Sequence, residues 1–202
     1  MKDIIAHRIN TIKNLKSIPP EYGVEVDIRS YGKKLIISHD PFVQGEDFRL
    51  WIKSYQHKLL ILNVKEEGLE GQLIKIMDEE SINDYFFLDQ SFPFLIKNAA
   101  HCKGRSAVRY SEFESIETVM NLKGLIKWVW LDCFNTLPID KVNMENLQSA
   151  GFKICIVSPE LQGRFGDEEI LEIHSALKKD NIIVDAVCTK KINLWREVCE
   201  MS

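Results

Sequence analysis

Two carboxylates lie two residues apart in the apolar run Val24-Glu25-Val26-Asp27-Ile28. Side chains alternate along a strand, so Glu25 and Asp27 share one face with Arg29. Such a pair half-builds a site for a hard cation, Mg²⁺ or Ca²⁺, whose shell substrate phosphate oxygens and water would complete. The same alternation also describes an ordinary strand with Val24, Val26 and Ile28 toward the core and the charged residues in solvent. A second same-face pair, Asn63 and Lys65, ends the run at residues 59–65. On a neighbouring strand it would set an amide oxygen and an ammonium group beside the carboxylates, where Lys65 balances a phosphate. Otherwise Lys65 is a solvated lysine ahead of Glu66-Glu67, whereas an amide buried at position 63 needs polar partners.

Two histidines end strand-like runs: His7 follows Ile4-Ile5-Ala6, and His39 follows Leu35-Ile36-Ile37-Ser38. Imidazoles titrate near neutral pH, so two of them near a cation and a phosphate suit one proton acceptor and one proton donor. His57, His101 and His174 lack this company and are expected at the surface.

The elements that must carry these groups alternate. Strand-like runs occupy residues 4–7, 24–28, 59–65, 85–88, 106–110, 127–131, 153–157 and 185–189, separated by helix-like segments at 71–79, 92–99, 111–120, 140–150, 167–178 and 192–199. Alternation implies parallel strands joined by right-handed crossovers, as a closed barrel or an open doubly wound sheet. Eight runs favour a compact (β/α)8 TIM barrel of one domain. Residues 35–38, after the turn Ser30-Tyr31-Gly32-Lys33, read as a β-hairpin extension of strand two. Chemistry in such barrels gathers at the C-terminal strand ends. There stand His7-Arg8, Asn63, Lys65, Asp89, Arg109 and Asp132. Arg109 is read as a further phosphate or sugar contact, Trp128 and Trp130 as barrel filling, and residues 162–166 as a solvated loop.

A chain of 202 residues, 45% hydrophobic, can bury one sizeable core. With net charge −4 and scattered Lys and Arg, it shows no footprint for nucleic acid or an anionic membrane. Five widely spaced cysteines form no metal or disulfide framework, which fits a reducing cytoplasm. No run is long enough for a signal peptide or a membrane span, so a soluble, unprocessed cytoplasmic protein is expected.

The ordered set His7-Arg8, Glu25-Val26-Asp27, His39-Asp40 and Asn63-Val64-Lys65 resembles the glycerophosphodiester phosphodiesterase family, within the phospholipase-C-like barrel superfamily. The motifs cover the first third of the chain, and strand rhythm alone continues the likeness. The resemblance implies that Glu25 and Asp27 bind a divalent metal, with Asn63 at the third ligand position. It implies that His7 and His39 act as general base and general acid, and that Arg8 and Lys65 hold the phosphate of a small phosphodiester. The chain departs from the family pattern: Ile9 replaces the glycine after His-Arg, Asn63 replaces an acid, and Lys190 replaces the acid of a final Thr-Asp. Only 23 residues separate His39 from Asn63, too few for the insertion usual in these enzymes. Asn63 and the lost final Thr-Asp motivate a rival, a catalytically silent barrel that binds a phosphorylated ligand; a third option is a metal-independent aldolase- or isomerase-type barrel using Lys65 as a Schiff-base amine.

Overall fold

Strand and helix alternate as the spacing predicts in a computed structural model that describes residues 1–200. In chain order the elements are β1 (Asp3–Ala6), α1 (Ile12–Ser17), β2 (Gly23–Tyr31), β3 (Lys34–Ile37), β4 (Glu46–Asp47), α2 (Phe48–Ile52), β5 (Leu60–Val64), α3 (Glu70–Glu79), β6 (Tyr85–Leu88), α4 (Phe92–Asn98), β7 (Ala107–Tyr110), α5 (Ile116–Met120), β8 (Trp128–Leu131), α6 (Lys141–Ser149), β9 (Lys153–Val157), a 3₁₀ turn (Pro159–Gln162), α7 (Asp167–Lys179), β10 (Ala186–Thr189) and α8 (Ile192–Glu200). The fold is α/β. Its contacts divide it into two units, residues 6–106 and residues 1–5 with 107–202.

In the unit of residues 6–106, the strands run in the order β4-β3-β2-β5-β6. β2 pairs antiparallel with β3, through a two-residue turn in which Gly32 takes the left-handed φ of 63° that a primed hairpin turn requires. On its other edge β2 pairs parallel with β5, in a register that sets Asp27 opposite Asn63. Val24, Val26 and Ile28 are buried, and so are Glu25 and Asp27 between them. Both faces of β2 are therefore covered, which rules out the polar-out strand. Leu73, Ile76 and Met77 of α3 are buried at the i, i+3, i+4 spacing of an amphipathic helix. In α2, Phe48, Trp51 and Ile52 are buried behind Asp47, whose carboxylate caps the helix by accepting from the N–H groups of Arg49 and Leu50. The short stretch between His39 and β5 thus holds β4 and α2.

In the other unit, β10, β9, β8 and β7 pair parallel, with Arg109 opposite Trp130 and Trp130 opposite Cys155. Trp128 and Trp130 are both buried, as filling residues must be. Four of the five cysteines are buried thiols. A helix expected from residue 111 begins only at Ile116. Ser111 Oγ accepts from the Phe113 N–H and pairs with Glu114, folding that stretch into a turn, and Ser115 caps α5 by accepting from the Glu117 N–H. His101 is exposed as expected, but His57 is half-buried, with Nε2 2.9 Å from the Ile18 carbonyl, and His174 stands edge-on to Trp195. Among the described residues no helix is long and apolar enough to cross a membrane.

Candidate active site

The chain leaves β1 through His7 and turns at Arg8, whose φ of 58° is left-handed. A non-glycine residue there is strained by roughly 1–3 kcal/mol, and the turn aims the Arg8 N–H at Glu25 Oε2, 2.6 Å away. The Ile9 N–H then donates to the Glu25 carbonyl at 2.8 Å. The bend that a glycine at position 9 would ease is made one residue earlier, and the buried Ile9 side chain serves the core.

Glu25 and Asp27 share one face of β2, and other side chains converge on them. Asn63 Nδ2 donates to Glu25 Oε1 at 2.8 Å, and His7 Nε2 lies 3.7 Å from Glu25 Oε2. Asp27 Oδ2 accepts from Asn10 Nδ2 at 2.8 Å and lies 3.5 Å from Arg8 Nε, while the Asp27 N–H donates to Asn10 Oδ1 at 3.0 Å. Lys65 Nζ stands 3.3 Å from Asp27 Oδ1 and 3.1 Å from Asp89 Oδ2. Asp89 itself sits in a left-handed turn, with φ 65°.

His39 joins the cluster through the backbone. The N–H of the preceding Ser38 donates to the Asp27 carbonyl at 3.1 Å, and the Arg29 guanidinium donates to the carbonyls of both His39 and Lys65. His39 Nδ1 is 2.8 Å from Asp40 Oδ1. That bond, reinforced by the nearby charge of His39, holds the Asp40 carboxyl below the usual range. An ionised Asp40 accepts the Nδ1 proton and leaves Nε2 as the outward nitrogen.

The residues singled out in the first third of the chain thus lie within one unit. Arg109 belongs to the other unit, where its guanidinium pairs with the buried Asp132 carboxylate. Thr189 is buried and donates to Glu160 Oε1 at 2.6 Å; the backbone N–H of Lys190 donates to the same oxygen. Sequence reasoning missed Asn10 and Asp40 as side chains that brace the site, and passed over Arg29. The adjacency of Asp40 to His39 was an available signal for one of them.

Burial, and next the neighbouring Asp27, push the Glu25 carboxyl up to about 7; bonds from Asn63 and Arg8 and the charge of Lys65 act the other way. Two buried acids side by side favour an added positive charge. Asp27 Oδ1 and Asn63 Oδ1 are moreover buried without a hydrogen-bond partner. Two carboxylates and an amide oxygen with unused acceptor capacity fit a hard, oxygen-seeking divalent cation. Among the described residues no cluster of three His, Cys, Asp or Glu side chains is placed to hold a metal.

The sequence matches no protein-family model and no curated protein. Its fold is similar to that of solved glycerophosphodiester phosphodiesterases over the whole chain. A protein from Agrobacterium tumefaciens assigned as a glycerophosphoryl diester phosphodiesterase aligns with a TM-score of 0.70 at 13% identity, covering 100% of this chain and 98% of that one. A glycerophosphoryl diester phosphodiesterase from Parabacteroides distasonis aligns at 0.68 and 12%, over 100% and 87%. A glycerophosphodiester phosphodiesterase from Agrobacterium tumefaciens aligns at 0.64 and 11%, over 99% and 100%. At these identities the likeness establishes a shared fold, and activity has to be argued from the site.

Proposed function

We propose that this protein is a divalent-metal-dependent phosphodiesterase for a small phosphodiester, a glycerophosphodiester or a phosphorylated polyol, built on a closed eight-stranded β/α barrel. The observation that carries the reading is the buried Glu25 and Asp27 pair, beside Asn63 and between two cations, with His7 against Glu25 and the His39–Asp40 pair at the end of β3. The fold shared with glycerophosphodiester phosphodiesterases supports it.

Glu25, Asp27 and the Asn63 amide oxygen would hold Mg²⁺ or Ca²⁺, which when bound supplies Lewis-acid stabilisation of charge on phosphoryl oxygens. Arg8 and Lys65 bind the phosphate, as a fork and a point charge. His7, next to the Glu25 carboxylate, accepts the proton of the attacking hydroxyl, whether that of water or of the substrate's own neighbouring alcohol. His39, with Nδ1 committed to Asp40, donates from Nε2 to the departing alkoxide.

A second reading, a barrel that binds a phosphorylated ligand without turnover, draws support from Asp27, which already has Lys65 and Arg8 beside it. Assaying the full chain on glycerophosphodiesters and bis(p-nitrophenyl) phosphate, with Mg²⁺, Ca²⁺ or chelator, separates the two. Metal-dependent cleavage supports the first reading; calorimetric binding of inorganic phosphate with no diester cleaved supports the second.

A further inference from the structure

We propose that Arg29 is a positioning residue that fixes His39 and Lys65 relative to one another, a role that rests on the proton-donor and phosphate-binding functions given to those two residues above. Arg29 lies on β2, two residues beyond Asp27 and on the same face. β2 has β3 on one edge and β5 on the other. His39 comes two residues after β3 ends and Lys65 one residue after β5 ends, where both chains leave the sheet. Regular pairing stops there. The last rungs are the Ser38 N–H to the Asp27 carbonyl, at 3.1 Å, and the Lys65 N–H to the Ile28 carbonyl, at 3.0 Å.

The Arg29 backbone is paired with Ile36 inside the β2–β3 ladder, and from there its guanidinium reaches both departing segments. Its Nε and Nη2 donate to the His39 carbonyl at 3.2 and 3.1 Å, and its Nη1 donates to the Lys65 carbonyl at 3.1 Å. One rigid planar fork therefore spans the two departing strands from the strand between them. Guanidinium suits this task because its donors keep a fixed geometry and it stays charged at every accessible pH. An ammonium group, a single point on a flexible stem, does not reproduce that span. The ladders of β2 with β3 and β5, with four and five paired residues, hold the sheet without Arg29. Its loss should loosen the segments carrying His39 and Lys65 and leave the strands in place.

The test compares the full-length wild type with Arg29→Met and Arg29→Lys; the lysine variant keeps the charge should the methionine variant fold poorly. Hydrogen exchange needs no activity. It should speed up by about tenfold or more in residues 38–45 and 65–68 of both variants, while residues 24–28 and 60–64 keep their protection. In the activity arm, kcat for a diester with an alkyl leaving group should fall about 100-fold, against threefold or less for a p-nitrophenyl leaving group, which needs no proton. KM should rise for both substrates. Unchanged exchange in the two segments, or equal falls in kcat for both leaving groups, overturns the proposal. If the wild type cleaves no diester, the phosphodiesterase reading fails separately, and exchange alone decides whether Arg29 fixes the two segments.

Discussion

Replacing Glu25 by glutamine removes a buried charge while keeping the shape of the side chain. The Glu25 carboxyl is raised from an ordinary 4.5 to about 7, first by burial and then by Asp27. The folded protein therefore keeps a proton there that the unfolded chain releases between those values. Stability from this group is fully present below about pH 4.5 and lost as pH rises through 7. At about 1.4 kcal/mol per pKa unit, the loss reaches about 3 kcal/mol. Glutamine escapes it: its carbonyl can accept from the Arg8 N–H, and its amide can donate to Asn63 Oδ1, which now has no partner, once the Asn63 amide turns over. Urea unfolding in chelator should give equal stabilities at pH 4 and a variant about 3 kcal/mol more stable at pH 8. Millimolar Mg²⁺ or Ca²⁺ at pH 8 should restore the wild type and leave the variant unchanged, since a cation bound only to the folded state stabilises it by about 2.7 kcal/mol at 100 times Kd. A pH-independent difference, or a less stable variant at pH 8, would refute the argument that ionised Glu25 opposes folding in the absence of metal.

Asn63→Asp restores the missing acid, and calorimetry should find Mg²⁺ or Ca²⁺ bound about tenfold more tightly, with a less stable metal-free protein. Asp40→Asn removes the negative charge that holds a proton on His39 Nδ1 and adds an amide donor that favours the other tautomer, so kcat should drop at least about tenfold on alkyl diesters and less on p-nitrophenyl ones, measured by steady-state kinetics. Gly45→Ala would put a Cβ 1.9 Å from the Ile37 carbonyl oxygen, backbone that cannot swing aside. It should lower stability by about 2 kcal/mol or more in urea unfolding and loosen the pairing of β3 with β4 in hydrogen exchange.

All eight expected strands were legible because each is a short run of strand length rich in apolar, β-branched and aromatic residues and bounded by turn or helix signals. Glu25, Asp27 and Asn63 stood out because polar residues inside such runs are costly unless partnered. α2 was missed because five residues, Phe-Arg-Leu-Trp-Ile, are too few to show a helical period, and α1 buries only Leu15. Asn10 carries no local signal, and for Asp89 and Arg29 the sequence shows only a strand-end place and a shared face, because the register of β2 with β5 and the turns after β1 and β6 select their partners. The left-handed turn at Arg8 was hidden for a related reason: the hydrogen bond to Glu25 that holds it spans seventeen residues. Whether Glu25 and Asp27 faced inward was undecided in the sequence, since β2 alternates valine and acid on its two faces. The second covered face of the sheet decided it.

The Glu25, Asp27, His7 and His39 cluster is proposed to cleave phosphodiesters with the help of a bound metal. The most direct measurement is steady-state cleavage of a glycerophosphodiester by the wild type, His7→Ala and His39→Ala, each with Mg²⁺ or Ca²⁺ and with chelator. The expected result is metal-dependent turnover that chelation abolishes and that each alanine variant lowers by about 100-fold or more. Turnover that survives both chelation and both substitutions would contradict it.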